Sequence, residues 1–510
     1  MHSVLTGGGV TNDSLHVITE TTATVRGRTM PRVAIFRVPV WMAAAYALLQ
    51  TDADPDLWGH VRFGLDTLHT RQLSSIDPYS YTSDLPWMNH EWLSELSMGA
   101  AYALAGAVGL VVLKVVLAVT TLGVLAYSIR RALDKWRWPS AFLAIVGMWP
   151  IETTLRPHLW TLLFLTVLCQ ILNEAPRYRY WLPLMFVFWT NVHGGWIVGF
   201  GVLALWSFVE LFEPVGERPS YWILIGVPVA CLAATLCNPY GWESWAFLAR
   251  TVRLSRADIS EWQPVWRQTR GSLIIWVATL VWIALAVRSA RRVPKKIVGV
   301  LAMLAFASFR VYRLLPLFVP AAVILLLPQV SAPAPADRPP WPKGRTALDV
   351  AFACIGTLIL LWPPASVACI NMHGSWLPDL QTGTALAAAH PQGRLVTWFD
   401  WGEYAIWHFG PELKVSMDGR RETVYSESAL NQQVAIASGE PAALSDLEMS
   451  RPEYVWLPLA RSKRTRDWLR THAYRIDMET ADSFIATRDD LPRIQAVATA
   501  SSGCFPGGIR

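Results

Sequence analysis

The densest run of side chains that could do chemistry is DADPDLWGH, residues 52–60. Asp54 and Asp56 stand one residue apart, and His60 follows. Such a carboxylate pair can hold a hard divalent cation, Mg2+ or Mn2+, through oxygen, or supply a general base. The alternative role is helix capping, because Asp is favoured just before a helix. His90 and Glu91 open another apolar run and could complete an acid/base or metal group with Asp54 or Asp56. They are not a zinc-protease motif, since HExxH needs a second His where Ser94 stands. Glu152, Arg156 and His158 lie in ETTLRPH, where Pro157 interrupts a helix. Arg156 suits a phosphate, or an ion pair between helix ends. Asn191 and His193 precede Gly194-Gly195, which permits close backbone approach. Glu261 in SEWQP and the later Arg310 and Arg313 suit a lipid-linked anion or a headgroup surface. Asp418 and Arg420 in MDGRR follow a strand pattern, where sheets often place ligand loops. A solvated glycine turn is the plain alternative there.

The elements that must hold these residues are membrane helices. The chain has 510 residues, 53% hydrophobic and 16% charged, with 27 Trp. Its mean hydropathy is +0.30. A soluble chain carries about 25% charged residues, so a cytosolic enzyme and a disordered chain are both disfavoured. The net charge of +6 reads as loop charge, not as a nucleic-acid surface. About eleven candidate spans fall near 33–50, 107–128, 139–151, 158–173, 181–192, 196–212, 221–237, 273–287, 297–309, 314–329 and 347–364. Residues 1–32 are polar and lack the apolar core of a signal peptide. The transmembrane domain occupies 33–365, with its first outer loop at 51–106. Within that loop Leu57, Val61, Leu65 and Leu68 recur at helical spacing, as in a helix lying in the membrane interface.

Arg26, Arg28, Arg32 and Arg37 hold the N-terminus in the cytoplasm. Alternation from there puts most basic clusters inside: Arg130, Arg131, Lys135 and Arg137; Arg177 and Arg179; Arg288, Arg291, Arg292, Lys295 and Lys296; and Arg338, Lys343 and Arg345. The loop 238–272, with Arg250, Arg253, Arg256, Arg267 and Arg270, disagrees. The candidate site residues gather on the opposite, outer face. Polar groups kept at membrane depth usually line a cavity. Lys114 alone lies mid-span, where it can snorkel or pair inside the bundle. A Pro-rich linker at 331–345 precedes the last span. Residues 370–510 turn polar and form an extracytoplasmic α/β domain. Strands are expected at 394–399, 414–418, 454–459, 474–480 and 482–488, and helices at 427–438 and 465–473. Cys369 and Cys504 flank this domain and can pair as a disulfide.

An acidic pair after the first span, an interfacial helix and then an acidic second helix resemble the glycosyltransferase C superfamily. That group includes protein O-mannosyltransferases, oligosaccharyltransferases and aminoarabinose transferases. The closer resemblance is to bacterial membrane proteins placed beside those enzymes. It rests on DPDLWGHVRFG, IDPYSYT, PWMNHEWLSE, ETTLRPH, TNVHGGW, CNPYG, SEWQP and FDWGEYAIW followed by MDGRR, over roughly 50 to 490. It implies a multi-pass enzyme of the bacterial inner membrane that transfers a hexosyl or pentosyl group from a polyprenyl-phosphate donor. The acceptor is an unnamed glycan, lipid or protein. It implies Asp56, then Asp54, as base or metal ligand, with His90 or Glu91 as the second acidic position. His60, Glu152, Arg156, His158, Asn191, His193, Glu261, Arg310, Arg313, Asp418 and Arg420 are the expected substrate contacts. Two other readings fit the same cavity. One is a non-catalytic component that binds or transports a lipid-linked glycan. The other is an assembly protein whose outer domain docks a partner.

Overall fold

The computed structural model describes residues 31–130, 132–214, 216, 218–251, 254, 256, 259–330, 369–497 and 503–507. The linker at 331–345, the span near 347–364 and most of the N-terminal segment lie outside these residues. Every other expected span coincides with helix: α1 (Pro31–Leu49), α2 (Leu57–Thr70), α3 (Trp92–Ile129), α4 (Asp134–Glu152), α5 (His158–Glu174), α6 (Leu182–Val192), α7 (Trp196–Glu210), α8 (Val227–Ala234), α9 (Trp242–Thr251), α10 (Arg270–Ser289), α11 (Lys295–Arg310) and α12 (Leu315–Val330). In this list α2 and α9 belong to loops. Among the described residues, three helices are long and apolar enough to cross a bilayer: Trp92–Ile129, Arg270–Ser289 and Tyr312–Val330. Pro39–Leu49, His158–Glu174, Trp196–Glu210 and Trp222–Ala234 are apolar but shorter.

Helix α12 is the hub. Its residues from Leu315 to Leu327 are all buried, so it is apolar all round, as an interior helix must be. It packs against α4, α5, α10 and α11. Helix α3 breaks at Ala105–Gly106, where Gly106 takes φ +59, open to glycine at little cost. Its first half can therefore lie along α2 while its second half joins the bundle. Lys114, fully buried in that second half, donates to the carbonyls of Ala47 at 2.8 Å, Leu48 at 3.2 Å and Gln50. A helix end leaves its last carbonyls unpaired, and Lys114 satisfies those of α1.

Polar contacts separate the two ends of the bundle. Arg179, before α6, and Lys296, at the start of α11, both bond Glu210 at the end of α7, at 2.7 and 2.8 Å. These three residues share one end. Arg156, His193, Glu261 and Arg313 come from the opposite helix ends and meet at the other.

The C-terminal region adds α13 (Leu380–Ala388), α14 (Gly402–Phe409), α15 (Glu427–Ser438), α16 (Pro441–Ser450) and α17 (Leu459–Leu469). Its strands are β1 (Gly393–Thr397), β2 (Leu413–Val415), β3 (Tyr454–Pro458), β4 (Tyr474–Glu479) and β5 (Ser483–Arg488), in the order β2-β1-β3-β5-β4. β1 runs parallel to β2 and β3, while β5 is antiparallel to β3 and β4. The expected strands are thus present. The expected helix at 465–473 starts earlier, at Leu459. The loop between α2 and α3 extends this sheet: Val415 N–H donates to Tyr79 at 3.0 Å, and Tyr81 N–H to Val415 at 3.1 Å. Cys369 and Cys504 are joined as a disulfide.

The first half of α2 packs on protein, with Leu57, Trp58, Val61 and Phe63 buried against α3 and α14, while Leu65 is half-buried and Leu68 exposed. The approach to α3 is so close that a Cβ on Gly64 would lie 1.9 Å from the Glu95 carbonyl oxygen. Overpacking of this kind costs about 1–3 kcal/mol. We expect Gly64→Ala to lower the melting temperature in detergent. Gly123→Ala, where a Cβ meets nothing within 4 Å, should hold or raise it, by up to about 1 kcal/mol of helix propensity. Equal melting of both variants would contradict this packing.

Candidate active site

The acidic loop is held by its backbone. Asp52 N–H donates to the Thr153 carbonyl, Ala53 N–H to Asn371, and Asn371 N–H to Thr51, each at 2.8 Å. Residues 51–53 are thereby pinned between the turn after α4 and the start of the C-terminal region. The disulfide partner Cys504 bridges to Asn371 on the far side of this strip. The side chains that follow, Asp54 and Asp56, are delivered to one guanidinium.

That guanidinium is Arg156. Its Nε lies against the Asp54 carboxylate, its Nη2 is 3.8 Å from Asp56 Oδ2, and its Nη1 donates to Glu261 Oε2 at 3.2 Å. Glu261 Oε1 accepts from Arg313 Nη1 at 2.9 Å. Arg313 also contacts His158 through Nε and, at 2.9 Å, through Nη2. The His158 ring is 4.2 Å from that of His193. His193 Nδ1 accepts from Gly195 N–H at 3.0 Å and lies 2.7 Å from Thr161 Oγ1. Thr161 Oγ1 itself accepts from Trp189 Nε1 at 2.9 Å, so its proton points to His193. This fixes the His193 tautomer with Nε2–H directed at Glu91, 3.5 Å away. Glu91 in turn stands 3.5 Å from His90. A continuous polar line therefore runs from Asp56 to His90 through the segments between helices at one end of the bundle.

The charges along it follow from surroundings. Asp54 is nearly closed off, at 7% side-chain exposure, whereas Asp56 keeps 35%. Burial pushes the Asp56 carboxyl up to about 6, against the pull of His60 and Arg313 and with help from Glu261 and Asp400. Burial would also raise Glu261, but Arg313 and Arg156 hold it below the ordinary range. Glu91 is likewise held low against burial, chiefly by His90. Burial lowers His193 to about 3, so it stays neutral. His60 behaves oppositely. Burial works against its charge, yet the Glu95 carboxylate at 3.1 Å carries it up to about 10.

The expected contacts divide into two groups. Asp54, Asp56, His90, Glu91, Arg156, His158, His193, Glu261 and Arg313 form the line just described, and His60 flanks it. Glu152 is fully buried at the end of α4, near Lys114 rather than in the recess. Asn191 ties helices together, accepting from Trp92 Nε1 and donating to Cys237 O, both at 2.8 Å. Arg310 is exposed at the end of α11. Asp418 and Arg420 form a buried knot with Asp77, Arg420 donating to both Asp77 oxygens at 2.8 and 3.0 Å. The Phe63, Tyr79 and Trp87 rings surround that guanidinium. Two residues enter that the site reading omitted. Glu95 fixes His60, and Glu403 reaches α2 from α14. Both lie within the quoted motifs HEWLSE and FDWGEYAIW, but nothing in their spacing marks their contacts.

Asp54 and Asp56 are the carboxylates that would hold a divalent metal, and both pair with Arg156 in this structure. Among the described residues no three His, Cys, Asp or Glu side chains are grouped to hold an ion.

No family model and no curated protein matches the chain. Solved structures do. The apo oligosaccharyltransferase of Archaeoglobus fulgidus aligns over 84% of this chain and 69% of its own, at 12% identity and TM-score 0.52. ArnT from Cupriavidus metallidurans, bound to undecaprenyl phosphate, aligns over 89% and 97%, at 13% identity and TM-score 0.45. At 12% identity the first likeness speaks for the fold alone: the chain shares the fold of that oligosaccharyltransferase.

The His60–Glu95 pair gives a pH signature. A raised imidazole pKa adds stability that is complete below about 6.5 and lost as pH rises through about 10. Melting temperatures should therefore fall across that window in the wild type and fall less in Glu95→Gln. Parallel curves would show that the pair does not hold the proton.

Proposed function

We propose that this chain, which carries the glycosyltransferase C fold, is a membrane glycosyltransferase. It moves a sugar from a polyprenyl-phosphate donor to an acceptor hydroxyl at the outer face of the inner membrane. The observation that carries this is the Asp56 carboxyl, partly open in a recess beside Arg156 and Arg313. The acceptor oxygen attacks the anomeric carbon, and the bond from that carbon to the phosphate oxygen breaks. The acceptor proton passes to Asp56, and the polyprenyl phosphate departs with the bonding pair. Arg156 and Arg313 hold its charge. Asp54 keeps Arg156 oriented. Glu261 bridges the two arginines and keeps them apart before the donor arrives. No step here runs through a metal.

The topology belongs to the same reading. About eleven spans place the N-terminus in the cytoplasm and the α/β domain outside. Two observations support it. Arg179, Lys296 and Glu210 meet at one end of the bundle, and the site residues meet at the other. The Cys369–Cys504 disulfide suits an oxidising compartment.

The test uses purified protein in lipid with a panel of polyprenyl-phosphate sugars, in Mg2+, Mn2+ or EDTA. Release of polyprenyl phosphate is measured. One donor should be consumed, and Asp56→Asn should lower turnover about 10²–10⁴-fold, the usual contribution of a general base. Because Asp56 must be ionised to accept a proton, wild-type turnover should fall as pH drops through about 6. Full activity of a folded Asp56→Asn would refute the assignment. Tight binding of a donor with no release from any would favour the binding or transport reading.

A further inference from the structure

The start of α2 poses a specific problem. A helix leaves its first N–H groups unpaired, and the residue just before it usually accepts one through its side chain. Asp56 holds that position, yet its backbone is at φ −85, ψ −9 and its side chain makes no capping bond. The acceptor comes from elsewhere. Glu403 Oε2, on α14 of the outer domain, accepts the N–H of Gly59, the third residue of α2, at 3.1 Å. Glu403 is 3% exposed.

Two glycines make the slot for this carboxyl. A Cβ on Gly59 would lie 2.1 Å from Glu403 Oε2. A Cβ on Gly419 would lie 2.3 Å from Asp56 Oδ1 and 2.8 Å from Glu403 Oε1, so those two oxygens are at most 5.1 Å apart. Both glycines stand in motifs singled out from the sequence, DPDLWGH and MDGRR. The slot is steadied on each side. Trp58 Nε1 donates to the Pro506 carbonyl at 2.9 Å, and its ring meets that of Tyr404 at 5.4 Å.

We propose that Glu403 is a positioning residue that caps α2 in place of Asp56, leaving the Asp56 carboxyl free to face Arg156. The inference rests on the transferase reading for its consequence but not for its geometry. It makes the outer domain part of the working site. With the cap gone, the Gly59 N–H is orphaned, and Asp56 at the cap position is the chain's own alternative acceptor. Asp56 then turns away from the recess.

The test compares Glu403→Ala, Glu403→Gln and Gly59→Ala in the full chain in lipid nanodiscs, each checked for wild-type melting. Asp56 is labelled with a water-soluble carbodiimide and an amine, and read by peptide mass spectrometry. Turnover is measured on the same samples. Glu403→Ala and Gly59→Ala should both protect Asp56 from label. They should also lower kcat by about a hundredfold with little change in KM, as misplacement of a reacting group does. Glu403→Gln keeps an acceptor oxygen and should restore both labelling and most of kcat. Gly59→Ala evicts the carboxyl without deleting it, so the test stands if Glu403→Ala fails to fold. Unchanged labelling in the folded variants would overturn the proposal. So would a Glu403→Gln variant as impaired as Glu403→Ala. If labelling follows the expected order but no donor is turned over, the cap stands and the transferase reading fails.

Discussion

Arg156 is the charge on which the site depends. It is mostly enclosed where helices end, at 22% side-chain exposure, and a guanidinium so placed needs carboxylate partners. Three carboxylates from two separate segments supply that pairing: Asp54 and Asp56 from the segment between α1 and α2, and Glu261 from the loop before α10. Pairing one cation this way forces those loops together. Glu261 then recruits Arg313, which recruits His158, and the ring contact to His193 and the approach of Glu91 follow. Removing the central charge would leave three carboxyl groups facing one another with one fewer cation.

A second constraint fixes that network in space. The C-terminal region does not rest on the bundle as a separate body. Its sheet is continued at Val415 by the loop between α2 and α3, and its Arg420 is bound by Asp77 of that loop. Its Asn371 hydrogen-bonds the strip from which Asp54 and Asp56 project. The Cys369–Cys504 disulfide, the buried Arg420–Asp77 pair and the packing of α2 on α3 and α14 all constrain the chain around the acidic loop.

Much of this was legible in the sequence because it depends on local rules. Hydrophobic runs mark helices, alternation marks strands, and sidedness of charge marks the two ends of the bundle. The grouping of Asp56, Arg156, Glu261 and Arg313 at one end follows from alternation alone. What escaped the reading depends on long-range contacts. Asp418 and Arg420 look like a ligand loop, yet their charges are spent on Asp77, far away in sequence. Glu152 and Asn191 share the sidedness of the site but face neighbouring helices. Glu403 carries no local signal, since a carboxyl that caps a helix in another domain looks like any other Glu. The two glycines beside it are visible, but a glycine shows only that space is needed, not what fills it.

In the proposed reaction the space between Asp56, Arg156 and Arg313 receives the phosphate of a polyprenyl-linked donor. A cryo-electron microscopy structure of the protein in lipid nanodiscs with a polyprenyl phosphate measures this directly. Phosphate density bonded by Arg156 and Arg313 is expected, with Asp56 facing the position the sugar would occupy. Phosphate density at the opposite end of the bundle, beside Arg179 and Lys296, would contradict it.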